Sequence, residues 1–96
     1  MTAYLYVDIE ITEPAKFEEY RNLVPAVIAA HGGRYLVRGG AVEVLEGDRQ
    51  PKRQVILEFP DMVHLKAFYD SAAYLPLKLM RQRSSKATVI AVEGYS

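Results

Sequence analysis

Hydrophobic and polar residues alternate along the first positions of the chain. Leu5 and Val7 fall on one face of an extended segment, and Tyr6 and Asp8 fall on the other. A period of two is typical of a strand with one face turned towards a core. The pattern therefore predicts a first strand from Ala3 to Ile11.

Beyond the first strand, the apolar residues recur at steps of three and four, which predicts a helix. Pro14 suits its first turn, where the missing N–H needs no partner, and Gly32-Gly33 suits its end. Pro25 lies inside this segment. Because proline lacks a donor and its ring clashes with the preceding turn, a kink or a split in the helix is predicted.

The rest of the chain predicts three more strands and two more helical pieces. Gly39-Gly40 interrupts the second strand and indicates a bulge or a bend, and the polar run before Pro51 indicates a hairpin turn. The predicted segments are a strand over Arg34–Val44, a strand over Arg53–Phe59, a helix whose apolar stripe runs from Met62 to Ala72, a short helical piece from Leu77 to about Arg83, and a closing strand over Ala87–Val92.

The order of these segments is β-α-β-β-α-β, which predicts an α+β fold of the ferredoxin-like type in one domain over residues 1–96. Two helices cover only one face of the four-stranded antiparallel sheet. The strands nevertheless carry apolar or aromatic residues on both faces, including Tyr4, Tyr6, Ile90 and Val92. We therefore predict a homodimer through the sheet face, and a half-exposed aromatic surface is the alternative.

The charge balance argues against nucleic acids and anionic membranes as partners. Twelve basic and twelve acidic residues balance, so no net field attracts nucleic acid or an anionic membrane. The basic stretch from Lys78 to Lys86, which includes Arg81 and Arg83, is interpreted as a solvated face at a helix end. No segment is long enough to span a bilayer and the first residues do not resemble a signal peptide, which predicts a cytoplasmic location.

The sequence contains no recognisable motif for binding a cofactor or a metal ion. The chain has no cysteine, which excludes disulfides, a thiolate nucleophile and cysteine-ligated metals. The two histidines, His31 and His64, lack a metal-binding spacing, and the glycine pairs match neither a dinucleotide nor a phosphate-loop pattern. We expect no cofactor and no metal.

Several segments in order resemble one known family. They are Arg38-Gly39-Gly40, the run from Val42 to Gly47, the segment from Leu57 to Pro60, and Phe68-Tyr69-Asp70-Ser71 followed by Tyr74 and Pro76. Together they resemble the domain of unknown function 1330 family, within the dimeric α/β-barrel superfamily. The resemblance implies a ferredoxin-like protomer whose sheet pairs with that of a second copy. It implies no particular reaction, because relatives in the superfamily include haem-degrading and cofactor-free monooxygenases, polyketide-modifying enzymes and ligand-sensing domains.

A cleft between the helices and the sheet is the natural pocket of this fold. Arg38 is the leading candidate for ligand binding, because a guanidinium beside a glycine bend can hold a carboxylate through two hydrogen bonds. Glu58 is a candidate base or a partner of Arg38. A structural Arg38–Glu58 cross-strand pair without a ligand is an equally good interpretation.

The other candidates each have a structural alternative. Tyr20, Tyr69 and Tyr74 are candidates to present hydroxyls to a ligand, or are core residues. Asp8 is a candidate proton acceptor or a hydrogen-bonding residue of a dimer interface. His31 is a candidate base or a charge favoured by the end of its helix.

Three hypotheses on function follow from these residues. The first is a cofactor-free enzyme acting on a small anionic or carbonyl-bearing molecule, with Arg38 orienting it and Glu58, Asp8 or His31 moving protons. The second is a non-catalytic dimeric module that binds or senses a small molecule in the same pocket. The third is a structural or interaction protein whose polar groups pair with one another.

Overall fold

A computed structural model describes residues 1–95 of the chain and confirms the α+β ferredoxin-like fold. Its elements in chain order are β1 (Ala3–Ile11), α1 (Pro14–Ala30), β2 (Arg34–Arg38), β3 (Arg53–Phe59), α2 (Met62–Tyr69), α3 (Leu75–Ser84) and β4 (Ser85–Glu93). The strands form one antiparallel sheet in the order β2-β3-β1-β4. Among the helices described, none has the length and apolar character needed to cross a membrane.

The register of the strands sorts their side chains onto two faces. Leu5 pairs with Leu57 and Ala91, and these residues lie on the face that packs under the helices, called here the inner face. Tyr6 pairs with Ile56 and Ile90 on the opposite face, called here the outer face. Because side chains alternate along a strand, each strand contributes to both faces.

The predicted split at Pro25 is wrong, since α1 runs without interruption from Pro14 to Ala30. Pro25 cannot donate to the carbonyl oxygen of Arg21, four residues earlier, so that oxygen has no helical partner. Arg38 Nη2 donates to it at 2.8 Å. A side chain from β2 thus satisfies the carbonyl that the proline leaves unpaired.

Two other predicted boundaries are corrected. The second strand ends at Arg38 and does not reach Val44. The N–H of Gly39 donates to Gln54 O, and the φ of 73° at Gly39 then turns the chain away from β3. Residues 39–52 have no regular structure and are mostly exposed. The second helix ends at Tyr69, so Ala72 lies outside it and is exposed.

The core lies between the inner face and the helices, and three aromatic rings form its centre. The ring centroids of Phe59 and Phe68 lie 5.4 Å apart, and those of Phe68 and Tyr74 lie 4.4 Å apart. Ser71 turns the chain from α2 into α3, since its hydroxyl donates to Phe68 O and accepts from Tyr74 N. This turn brings the Tyr74 ring back under α1, beside the pocket described next.

Candidate functional site

A narrow pocket opens between the helices and the inner face, and the empty space of about 540 Å³ in and around it includes open solvent. Its walls are apolar, apart from two sets of polar side chains. The arginines are Arg21, Arg38, Arg53 and Arg81, and the tyrosines are Tyr20, Tyr35, Tyr69 and Tyr74. None of the described residues that line the pocket is acidic or a histidine.

Arg81 is the most deeply buried of these cations. Its side chain comes from α3, and the residue is only 4% exposed. The Nε atom donates to the hydroxyl of Tyr74 at 3.4 Å, and the two Nη atoms have no hydrogen-bond partner within residues 1–95. No carboxylate in this range forms an ion pair with it. The interpretation of Arg81 as part of a solvated face is therefore wrong, because the helix turns it towards the pocket.

The Tyr20 and Tyr74 hydroxyls form a hydrogen-bonded pair at 3.0 Å. Burial, followed by the neighbouring Tyr74, raises the pKa of Tyr20 far above its ordinary value, so Tyr20 stays protonated. The two hydroxyls carry two hydrogens, and their mutual bond uses one of them. One phenolic hydrogen is therefore left to donate to an oxygen of a ligand, next to Arg81.

Arg38 lies at the exposed side of the pocket, where it is held in two ways. It donates to Arg21 O, as described above, and its guanidinium carbon lies 4.7 Å from the ring centroid of Tyr35. Neither contact neutralises its charge. Because a guanidinium has five donors, Arg38 keeps most of them available for another acceptor.

Arg53 begins β3 and lies on the inner face, two residues before Val55. Its Nε is buried without a hydrogen-bond partner among the described residues, and none of their carboxylates pairs with it. A Cβ added at Gly39 would lie 2.3 Å from Arg53 Nη1. The guanidinium therefore occupies space that only a glycine at position 39 leaves open.

The structure separates the predicted site residues into two groups. Arg38, Tyr20, Tyr69 and Tyr74 line the same pocket. The predicted proton-transfer residues Glu58, Asp8 and His31 do not line it.

The proposed Arg38–Glu58 pair is not formed. Glu58 is opposite Arg34 in the register and pairs with it at 2.8 Å, whereas Arg38 is opposite Val55. Glu58 therefore lies on the outer face, where it has no access to the pocket.

Asp8 and His31 have structural partners of their own. Asp8, on the outer face, accepts from Lys52 N at 3.0 Å and lies 3.5 Å from Arg49 Nη2. His31 Nδ1 donates to Val27 O at 2.9 Å, and the His31 ring packs edge-on against Phe68. Both side chains are engaged outside the pocket.

Sequence reasoning missed Arg53, Tyr35 and Arg81. Arg53 shares its alternation with Val55 and Leu57, which places it on the inner face, and this signal was available in the sequence. Arg81 follows Leu77 by four residues, the spacing of one helix face.

Comparisons with known proteins agree with the architecture. A structure of a protein of unknown function from Rhodopseudomonas palustris has a TM-score of 0.78 at 14% identity, covering 99% of this chain and 83% of that one. A dimeric ferredoxin-like protein of unknown function from Jannaschia sp. CCS1 has a TM-score of 0.73 at 16% identity, covering 98% of this chain and 100% of that one. SnoaB, a cofactor-independent oxygenase from Streptomyces nogalater, has a TM-score of 0.57 at 15% identity, covering 99% of this chain and 92% of that one. These identities establish a shared fold only.

No curated protein matches the chain. A family model described as "Domain of unknown function (DUF1330)" matches residues 2–95. The match extends over nearly the whole sequence, through every helix and strand described above. This chain therefore belongs to the DUF1330 family, as the resemblance of its motifs predicted.

Proposed function

We propose that the pocket binds a small organic anion, a carboxylate with a compact apolar body. One observation carries the proposal: Arg38, Arg53 and Arg81 reach one pocket without a carboxylate partner from residues 1–95. Burying an unpaired cation is costly, and a bound anion would remove that cost.

The pocket walls suit the rest of such a ligand. Phe17, Phe68 and the rings of the tyrosines offer apolar and aromatic surface. The free phenolic hydrogen of the Tyr20–Tyr74 pair adds a neutral donor beside Arg81. A planar carboxylate accepts well from such donors, since guanidinium nitrogens match its two oxygens.

We expect benzoate to bind about tenfold or more tightly than its neutral analogue benzamide, because only benzoate supplies the missing negative charge. Isothermal titration calorimetry of the unmodified protein with both compounds measures this ratio. The variant Arg83→Gln is the control, because Arg83 is exposed on the same helix as Arg81 and lies outside the pocket, so its affinities should not change. Equal affinities for the two compounds, or binding of neither, would reject an organic-anion site.

A second candidate function is cofactor-free catalysis on the same kind of molecule. Arg81 and the free phenolic hydrogen lie together in a buried position, an arrangement that would stabilise an oxygen anion developing on a bound carbonyl compound. SnoaB shares the fold and is a cofactor-independent oxygenase. Because Glu58, Asp8 and His31 lie outside the pocket, such a reaction would need a substrate that loses its proton without them.

We also propose that the protein forms a homodimer through the outer face. Ile90 and Val92 are about half exposed there, and Tyr6 lies between Ile90 and Ile56. Residues 49–52 cover only part of this face, where Arg49 lies over Tyr6. The Jannaschia protein of the same fold is dimeric, which supports a second copy as the cover.

A further inference from the structure

Three of the four arginines that line the pocket have no carboxylate partner in residues 1–95, and they form two groups with different surroundings. Arg81 is buried, and its Nε donates to the hydroxyl of Tyr74, which is itself hydrogen-bonded to the hydroxyl of Tyr20. Arg38 lies over the ring of Tyr35, and the guanidinium of Arg53 lies against Gly39, the residue after Arg38. We call these groups the Arg81 end and the Arg53 end of the pocket.

The arginines of the two ends come from different elements of the fold. Arg53 is the first residue of β3, and Arg81 lies on α3, which leads directly into β4. Strands β3 and β4 flank β1 on its two sides. Because neighbouring strands lie about 4.8 Å apart, β3 and β4 are separated by about 10 Å. Arg53 therefore enters the pocket from β3, on one side of β1, and Arg81 enters it from the helix that leads into β4.

Neither end is neutralised within the described chain. The Arg53 guanidinium has a buried Nε without a partner, and the Arg81 guanidinium has two free Nη atoms. A ligand with one carboxylate would pair with one of these cations and leave without an anionic partner either the buried Arg81 or the half-buried Arg53, whose Nε is inaccessible to solvent. Since an unpaired buried charge is costly, a ligand with anionic groups at both ends has the advantage.

We propose that the pocket takes a small dicarboxylate that spans it, one carboxylate at the Arg81 end and the other at the Arg53 end. This inference rests on the proposed organic-anion function and specifies its ligand. The inner carboxylate accepts from Arg81 and from the free phenolic hydrogen. The outer carboxylate accepts from Arg53 and from Arg38, which is the exposed member of the set. The apolar inner face between them, including Val7 and Val55, contacts the spacer.

The experiment compares matched pairs of probes that differ only in the second carboxylate. Calorimetry measures the affinity of the full chain for benzoate against phthalate, isophthalate and terephthalate, and for hexanoate against adipate. These dicarboxylates cover several separations of the two charges. We expect at least one of them to bind about tenfold or more tightly than its matched monocarboxylate.

The variant Arg53→Gln then tests whether Arg53 binds the second carboxylate. It should reduce the affinity for the preferred dicarboxylate to that for the monocarboxylate, and change benzoate binding by less than about threefold, because benzoate pairs with Arg81. Arg83→Gln, an exposed arginine of α3, is the matched control and should alter neither affinity. Circular dichroism confirms that each variant is folded.

The outcomes separate this inference from the proposed function. If the monocarboxylates bind and no dicarboxylate binds more tightly, the dicarboxylate is rejected and the organic-anion site stands. A dicarboxylate preference that persists in Arg53→Gln rejects the assignment of the second end. Binding of no carboxylate at all rejects the inference together with the proposed function.

Discussion

Replacing Arg81 by methionine is expected to stabilise the fold and to abolish carboxylate binding. Arg81 is 4% exposed and its charge has no carboxylate partner in residues 1–95. Methionine keeps a side chain of similar length, removes the buried charge and forfeits only the long hydrogen bond to Tyr74. By analogy with buried ion pairs replaced by apolar residues, we expect the free energy of unfolding to rise by about 1–3 kcal/mol.

Chemical denaturation of the ligand-free protein measures the stability, and calorimetry with benzoate measures the binding of the same preparation. Arg83→Met is the matched control, since Arg83 is exposed on α3, and should change stability by less than about 0.5 kcal/mol. If Arg81 is retained for binding at a cost in stability, its replacement raises the free energy of unfolding and lowers the affinity for benzoate. If Arg81→Met were destabilised and still bound benzoate, Arg81 would have a structural role.

Introducing a charge on the outer face, in the variant Ile90→Asp, is expected to convert a dimer into a monomer. Ile90 is 45% exposed in the single chain and lies opposite Tyr6 in the register. In a dimer through this face, the carboxylate would be buried without a partner. Such a charge costs several kcal/mol, so we expect the dissociation constant to rise by a factor of about 100 or more.

Light scattering coupled to size-exclusion chromatography over a range of concentrations measures this change. Val63→Asp is the control, because Val63 is 76% exposed on α2, away from the sheet, and the dimer should persist in that variant. A wild-type protein that is monomeric at every concentration would contradict the proposed homodimer. So would a dimer that is unaffected by Ile90→Asp.

The fold was predictable because its hydrophobic periods are clear. The alternation in β1 and the three-and-four spacing in α1 both appear as predicted. The errors arose where a local sequence rule did not take account of the tertiary structure. Pro25 leaves a carbonyl unpaired, and the partner that satisfies it, Arg38, lies 13 positions further along the chain. The alternating residues beyond Gly39 resemble a strand, but the left-handed turn at that glycine ends the pairing.

The site was predictable only where aromatic or glycine patterns pointed to it. Of the residues that line the pocket, Arg38 and three tyrosines were candidates from the sequence, whereas Arg81 was assigned to a solvated face and Arg53 was given no role. Charged residues are rarely buried without a partner, so composition alone argues against such positions. The alternation in β3 and the helical spacing in α3 were the informative signals. The same alternation places Glu58 on the outer face, since it lies between the inner residues Leu57 and Phe59.

Some predictions concern properties that neither the fold nor the pocket tests. The cytoplasmic location and the lack of a nucleic-acid partner stay predictions from the sequence. The second of them rests on the even balance of basic and acidic residues. They do not affect the assignment of the pocket.

The most direct measurement for the organic-anion site is a crystal structure of the protein with 4-bromobenzoate, whose bromine locates the ligand by its anomalous signal. We predict the ring between the aromatic side chains of the pocket. We also predict its carboxylate within hydrogen-bond distance of an Arg81 Nη atom and of the Tyr20 or Tyr74 hydroxyl. An empty pocket at saturating ligand, or a carboxylate bound elsewhere on the chain, would contradict the proposed function.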